Sequence, residues 1–261
     1  MRDERFETGA AAYAAYLLTT EGRLRLDLAW TNLRQCFSAQ NLDADQEKSA
    51  LDVGGGTGAL AVRLALKGWR VEVIDLSDQM LEMAAAAARA AGVTHRINFH
   101  HAEAERGIGC FAPHSFQLVA CHNVFEYVAD PHALLRALRP VISRDGLLSI
   151  VVRNRAGEAL RAALKSHDLR AAEQIWTADY AIEPLYGGKA RLFDYQTLRQ
   201  LLRETGFQII MERGIRVVAD YLPPDFAANV EGYAQLLAFE ERCGAVSEFA
   251  AIARYAQIIA R

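Results

Sequence analysis

At 261 residues the chain can bury a full core without disulfide or metal staples, as one α/β domain with an appendage. Its 29 basic and 32 acidic residues give a formal net charge of −3, which excludes an overall field for polyanions and leaves any nucleic-acid partner dependent on a local basic surface. The four cysteines (Cys36, Cys110, Cys121, Cys243) show no paired CxxC spacing, so neither a disulfide framework nor a metal site is expected.

The first residues mix both charges, and the apolar run from Ala10 to Leu18 is too short to span a bilayer. No other stretch reaches that length, which predicts a soluble, cytoplasmic protein with no membrane partner. From Gly22 to Phe37, Leu26, Trp30, Leu33 and Phe37 recur at helical spacing, with Arg23, Arg25 and Arg34 elsewhere on the helix as solvated charges. Residues 1–45 thus form an N-terminal helical cap or lid, and the polar, acidic run from Asn41 to Lys48 reads as a linker.

A regular alternation follows. A strand at 50–53 precedes a helix at about 58–67, and a strand at 70–75 precedes a helix capped by Ser77 and ended by Gly92. Ile97 and Phe99 mark a third strand and Phe116 to Cys121 a fourth. Asp130 and Pro131 stand in the N-cap and N1 order, and Gly146 leads into a fifth strand, Leu147 to Val152. This pattern predicts a doubly wound α/β fold, with ligand beyond the carboxyl ends of parallel strands.

After Asn154 the rhythm breaks. Residues 154–193 read as a substrate-side insert with a turn at Tyr186, Gly187 and Gly188. A helix at 194–205, a strand from Phe207 to Met211, a helical stretch at 225–244 and a closing strand from Tyr255 to Ala260 complete one domain spanning 1–261. Residues 153–216 hold 11 basic against 8 acidic residues, making this the basic region of the chain.

The chemistry centres on LDVGGGTG, Leu51 to Gly58, a strand, a glycine turn and a helix N-terminus. Glycines admit positive φ and close ligand approach, and the helix start offers unpaired N–H groups. Asp52 precedes the glycines, and Asp75 ends the second strand, where a carboxylate can accept hydrogen bonds from both hydroxyls of a ribose. A dinucleotide site would want GxGxxG with room for a pyrophosphate. Here the run is GxGxG without a basic residue in the loop.

Together with Asp75, Ala104-Glu105 and the stretch from His122 to Tyr127, this arrangement resembles class I S-adenosylmethionine-dependent methyltransferases. The likeness narrows to the bacterial enzymes that esterify the carboxylate of a carboxymethoxyuridine at the tRNA wobble position. It is carried by TTEGRLR (Thr19 to Arg25), DLSDQM (Asp75 to Met80), CHNVFEYVADP (Cys121 to Pro131), GIRVVADYL (Gly214 to Leu222), YAQLLAFEERC (Tyr233 to Cys243) and ARYAQIIAR (Ala253 to Arg261). The resemblance implies a seven-stranded, mostly parallel Rossmann-like sheet, S-adenosylmethionine as cofactor, and tRNA as partner. It also implies that Arg25 reaches the cofactor's carboxylate, that Gly54 and Gly55 line its methionine part, and that Asp52, Gly56 and Leu76 are further cofactor contacts. Asp75 would hold the ribose, Ala104 and Glu105 would flank the adenine, and His122 would contact the cofactor near the transfer site.

Two departures stand out from that pattern: only Lys189 and Arg191 where those enzymes carry a lysine cluster, and Leu17-Leu18 in place of a tyrosine. The alternative acceptor is a small molecule enclosed by residues 154–190. A carboxylate acceptor needs orientation and a cation rather than a base, and Arg153, Arg155 and Arg216 near strand ends are candidates to grip it. His122 would serve as base for a hydroxyl or amine.

Overall fold

Four parallel pairings carry the chain outward in both directions from the first strand. The computed structural model describes residues 5–40, 48–183, 187–223 and 225–261. The linker expected at 41–48 falls almost wholly outside them, as does Tyr186 of the expected turn.

Helices α1 (Arg5–Leu18) and α2 (Thr20–Ala39) precede β1 (Ser49–Val53), α3 (Ala59–Leu66), β2 (Arg70–Asp75), α4 (Asp78–Ala90) and β3 (Ile97–His101). Then come α5 (Ala104–Ile108), β4 (Phe116–His122), α6 (Pro131–Leu138) and β5 (Ile142–Arg153). The insert holds α7 (Arg155–Leu164), α8 (Leu169–Thr177) and the hairpin β6 (Tyr180–Glu183) and β7 (Gly188–Arg191). The chain returns through α9 (Tyr195–Glu204), β8 (Ile209–Ile215), α10 (Val230–Gly244), α11 (Ser247–Ala250) and β9 (Tyr255–Ala260).

The described residues form one seven-stranded sheet in the order β3-β2-β1-β4-β5-β9-β8. All neighbours are parallel except around β9, which runs antiparallel to both β5 and β8. The order reverses between β1 and β4, the crevice where such sheets bind ligand. Strand residues alternate between the two faces, so Leu51 and Val53 enter one core with Phe125 and Leu134, while Ala50 enters the other with Leu64 and Trp69. Both faces are buried because helices cover both.

Local signals act as expected at the helix starts. Ser77 Oγ accepts from Met80 N at 3.1 Å, and Asp130 Oδ1 accepts from His132 N and Ala133 N at 2.9 and 3.0 Å. Four expectations shift. The α2 face in the core is Leu24, Leu28, Leu33 and Phe37, with Leu26 and Trp30 only half-buried, and Arg25 is buried while Arg23 and Arg34 stay solvated. Strand β5 starts at Ile142, because Phe116 already pairs with it across a register shift. Strand β8 starts at Ile209, because Phe207 N closes the end of α9 by bonding Leu202 O at 2.9 Å. Helix α10 starts at Val230, where Asn229 Oδ1 caps Gly232 N at 2.7 Å.

Helix α7 lies tight against the chain entering β9. Asn154 Nδ2 donates to Ala251 O and Ala253 O at 2.9 and 2.8 Å, and a Cβ on Gly157 would stand 2.2 Å from Ala253 O. Backbone cannot yield as a side chain would. Gly157→Ala is therefore expected to destabilise the fold by about 1–3 kcal/mol from overpacking, outweighing the ~1 kcal/mol helix preference for alanine. A lower urea midpoint at unchanged m-value checks this, and a raised midpoint contradicts it.

Candidate active site

The turn after β1 is laced to the end of β2. Gly54 N and Gly55 N both donate to Ile74 O, at 2.7 and 3.2 Å. Gly54 has φ +63°, and a Cβ there would stand 2.5 Å from Val124 Cγ2. Gly56, at φ +54°, donates its N–H to Asp75 Oδ2 at 2.8 Å, while Asp75 Oδ1 accepts from Ser77 N at 2.9 Å. The carboxylate keeps lone-pair capacity for a ligand hydroxyl. Burial raises the Asp75 carboxyl from its ordinary range, opposed by those N–H bonds.

A cavity of about 490 Å³ opens over this loop. Gly54, Gly56, Asp75 and Leu76 line it with Ala104 and Glu105, as do His122, Asn123 and Val124. Tyr127, Arg153 and Tyr255 also line it, and α1 lies across it with Phe6, Tyr13 and Tyr16. The helix is held there through Glu7, whose carboxylate accepts from Asp78 N and Gln79 N at 2.9 and 3.2 Å.

Behind the loop is a recess of about 40 Å³, lined among others by Arg25, Asp52, Gly54, Gly55, His122 and Asn123. The buried Arg25 guanidinium donates to Tyr13 OH at 2.8 Å and to Asn123 Oδ1, and no carboxylate among the described residues pairs with it. Asp52 is buried with its Oδ2 unpartnered, and its carboxyl is pushed up to about 7, first by burial and then by the charge of Asp75. One recess thus offers a bare cation and a bare carboxylate oxygen, the complement of an α-amino acid.

His122 is a neutral wall of the site. Its Nε2 meets Ser149 Oγ at 2.8 Å, and burial, then the charge of Arg25, drive its pKa down to about 3. At that value it takes up a proton poorly. Arg153 reaches the cavity but already donates to two buried acids, Glu158 at 3.0 Å and Glu183 at 2.5 Å. Arg155 faces Asp179 and Asp194, and Arg216 donates to Tyr16 OH at 2.8 Å and to Asp220. Neither is part of the cavity wall.

Sequence reasoning missed Tyr13, Tyr16, Asn123, Tyr127 and Tyr255. Tyr13 and Tyr16 had a signal, an i, i+3 aromatic pair on an alanine-rich helix, while Tyr255 reads as an ordinary strand residue.

A methyltransferase-domain profile matches residues 25–212. The chain belongs to that methyltransferase family. It is 30% identical to the tRNA 5-carboxymethoxyuridine methyltransferase of Escherichia coli K12, over 100% of this chain and 97% of that protein. A ubiquinone biosynthesis O-methyltransferase of Neisseria meningitidis is 36% identical, over only 39% of this chain and 42% of that one. A putative S-adenosylmethionine-dependent methyltransferase structure from Listeria monocytogenes has the same fold, with TM-score 0.60 and 16% identity over 91% of this chain and 97% of that chain.

S-adenosylmethionine is accordingly the expected cofactor of this methyltransferase, and the site fits it. The unpartnered Asp52 oxygen and unneutralised Arg25 suit an amino-acid tail, and Asp75 suits a sugar. When bound, this cofactor supplies a methyl carbon made electrophilic by its sulfonium. Among the described residues no helix is long and apolar enough to cross a membrane, and no acidic, His or Cys cluster could hold a metal.

Asp75→Ala should weaken S-adenosylhomocysteine binding by about 1.5–3 kcal/mol in calorimetry, the worth of a charged hydrogen-bond acceptor. His122 regains ordinary basicity on unfolding, so the unfolded chain binds the extra proton between its ordinary pKa and about 3, and stability falls as pH falls through that window. His122→Asn should flatten the acid limb of stability by up to about 1.4 kcal/mol per pH unit. Superimposable acid limbs in the two proteins would refute the buried neutral imidazole.

Proposed function

We propose that this enzyme transfers a methyl group to the carboxylate of a 5-carboxymethoxyuridine at the wobble position of tRNA. The observation that carries the reading is where the likeness extends. Tyr13, Tyr16, Arg216, Arg254 and Tyr255 all lie outside residues 25–212, the span of the general methyltransferase profile. Tyr16, Arg216, Arg254 and Tyr255 lie around one another, with Arg216 and Arg254 over the Tyr255 ring, and a relative that aligns over the whole chain is the tRNA enzyme. The ubiquinone-pathway relative aligns over less than half of it.

The geometry and the family resemblance together support the following roles. Arg25 and Asp52 hold the amino-acid tail of the cofactor, with Gly54, Gly55 and Gly56 giving it a flat backbone to lie on. Asp75 takes the ribose, while Leu76, Ala104 and Glu105 border the adenine. An acceptor carboxylate is already ionised at neutral pH and needs no base, which agrees with a His122 too weakly basic to act as one. A hydroxyl or amine acceptor would need a base, and His122 does not supply one. The carboxylate is oriented and stripped of water by an arginine-rich end of the cavity, from Arg153 with Arg216 behind it.

A carboxylate on a tRNA base reaches such an enclosed cavity only if its nucleotide leaves the stack. The insert 154–193 stands beside the mouth. Arg191 lies 5.1 Å over the Tyr180 ring and donates to the cavity-lining Ala129 O at 3.5 Å. Lys165, Arg170, Lys189 and Trp176 are exposed on the same insert, offering cations for phosphates and a ring for a base.

Incubation with labelled S-adenosylmethionine and tRNA carrying free 5-carboxymethoxyuridine should give base-labile label in the tRNA. Affinity should fall linearly in log salt, and Lys189→Ala should reduce the slope by roughly 1. Transfer to a small carboxylic or phenolic metabolite with none to tRNA would overturn the reading.

A further inference from the structure

Directly after β4, Asn123 adopts a backbone conformation that costs any residue with a side chain. Its φ is +58°, and its N–H donates to Val151 O at 2.7 Å. Asparagine enters the left-handed region more readily than most residues, yet glycine would occupy it without strain. The side chain that stands there is engaged at both ends. Its Oδ1 accepts from Arg25 Nη1, and its Nδ2 donates to Glu126 Oε1 at 2.8 Å. Asn123 and Arg25 both line the cavity and the recess behind the glycine turn.

The direction of that amide is dictated from both sides. A guanidinium has only donors, so the amide oxygen must face Arg25. Glu126 is 2% exposed, and the same Oε1 also accepts from Arg153 N at 2.9 Å. Burial raises the Glu126 carboxyl from its ordinary range, opposed by these N–H bonds. With two donors already on Oε1, that oxygen acts only as an acceptor, whether or not Oε2 carries a proton. Arg25 Nη2 donates to Tyr13 OH at 2.8 Å, and its buried Nε has no partner among the described residues. The guanidinium is therefore fixed by a phenol and an amide, and the acid behind the amide stops one side chain short of it. A carboxylate in direct contact would compete with a ligand's carboxylate for the same N–H groups.

We infer that Asn123 and Glu126 are a positioning pair: Glu126 fixes the Asn123 amide, and the amide holds the Arg25 guanidinium at the donor recess while leaving its charge free for the α-carboxylate of the cofactor's tail. The inference rests on the role given to Arg25 above and adds the two residues that set its placement. The pair acts through Arg25. An amide passes on orientation without bringing a charge, which a carboxylate at position 123 could not do. The effect of the pair is therefore confined to ligands that carry the amino-acid tail, because the sugar is held separately by Asp75 at the end of β2.

Calorimetry on the full-length protein with two ligands tests this. S-adenosylhomocysteine carries the amino-acid tail, and 5′-methylthioadenosine is the same thioether nucleoside without it. Asn123→Gly keeps the positive φ and removes the amide, so the S-adenosylhomocysteine Kd should rise about tenfold while that of 5′-methylthioadenosine stays within about twofold. Asn123→Asp sets a carboxylate on Arg25 and should lose at least as much affinity for S-adenosylhomocysteine, again with 5′-methylthioadenosine spared. Glu126→Ala should behave like Asn123→Gly, and Glu126→Gln, whose amide oxygen can accept the same two bonds, should recover most of the loss. Should Glu126→Ala fail to fold, the two Asn123 variants decide. A loss shared equally by both ligands, unchanged S-adenosylhomocysteine affinity in either Asn123 variant, or a Glu126→Gln no better than a folded Glu126→Ala would each overturn the inference. Arg25→Met separates it from the reading beneath it. Wild-type S-adenosylhomocysteine affinity in Arg25→Met sinks the assignment of Arg25 to the tail, and the pair with it. Affinity lost in Arg25→Met but kept in Asn123→Gly leaves that assignment standing and overturns the pair alone.

Discussion

Guanidinium groups taken out of water must find partners, and this requirement joins the two ends of the chain to the sheet. Arg25 comes from α2, Arg153 from the end of β5, Arg216 from the turn after β8, and Arg254 from the residue before β9. All four lie within a tenth of full exposure, and three of them meet over one ring, Tyr255. Breaking a buried pair by removing one partner costs about 3–5 kcal/mol, because the other charge is left bare. The layer therefore cannot form piecemeal. Its tyrosines and acids come from α1, α7, the β6–β7 hairpin and the turn after β8, so those segments dock together or leave charges unpaired.

The direction of β9 makes this meeting possible. A parallel strand sends its carboxyl end to the ligand crevice, and the residues before it lie at the far edge. Because β9 runs against its neighbours, its first residue lies beside the last residues of β5 and β8. Arg254 N donates to Arg216 O at 2.8 Å, and Asn154 N to Arg254 O at 3.1 Å, tying three strand ends together at the cavity. The reversed strand thus brings the C-terminal segment to the cavity, where a parallel one would carry it away.

What could be read from the sequence follows the range of the interactions. The glycine turn, the Ser77 and Asp130 caps and Asp75 each depend on neighbours within a few residues or on one adjacent strand, and all are where the pattern puts them. The buried face of α2 was not legible. Arg25 looks like any surface arginine until Asn123, 98 residues away, and Tyr13 are folded around it. The same holds for Arg216, whose guanidinium is turned from the cavity toward Asp220 and Tyr16, with its backbone at φ +62°. Tyr255 lies in an aliphatic alternation, and its character comes wholly from cations on other elements. The strand starts slipped for a different reason: apolar Phe207 fits a strand pattern as well as it fits the hydrophobic stop of a helix.

On the function proposed above, the chain divides into a donor half and an acceptor half for a physical reason. The donor end needs a glycine turn, two carboxylates and the crevice at the strand-order reversal, all of which come from consecutive βα units. The acceptor end is assembled from segments far apart in sequence, so it can change without disturbing the donor loop. The two halves still touch at Arg25. Its guanidinium lines the recess behind Gly54 on one side and lies over Tyr255 on the other. Any anion that settles against one face of Arg25 changes the field felt at the other.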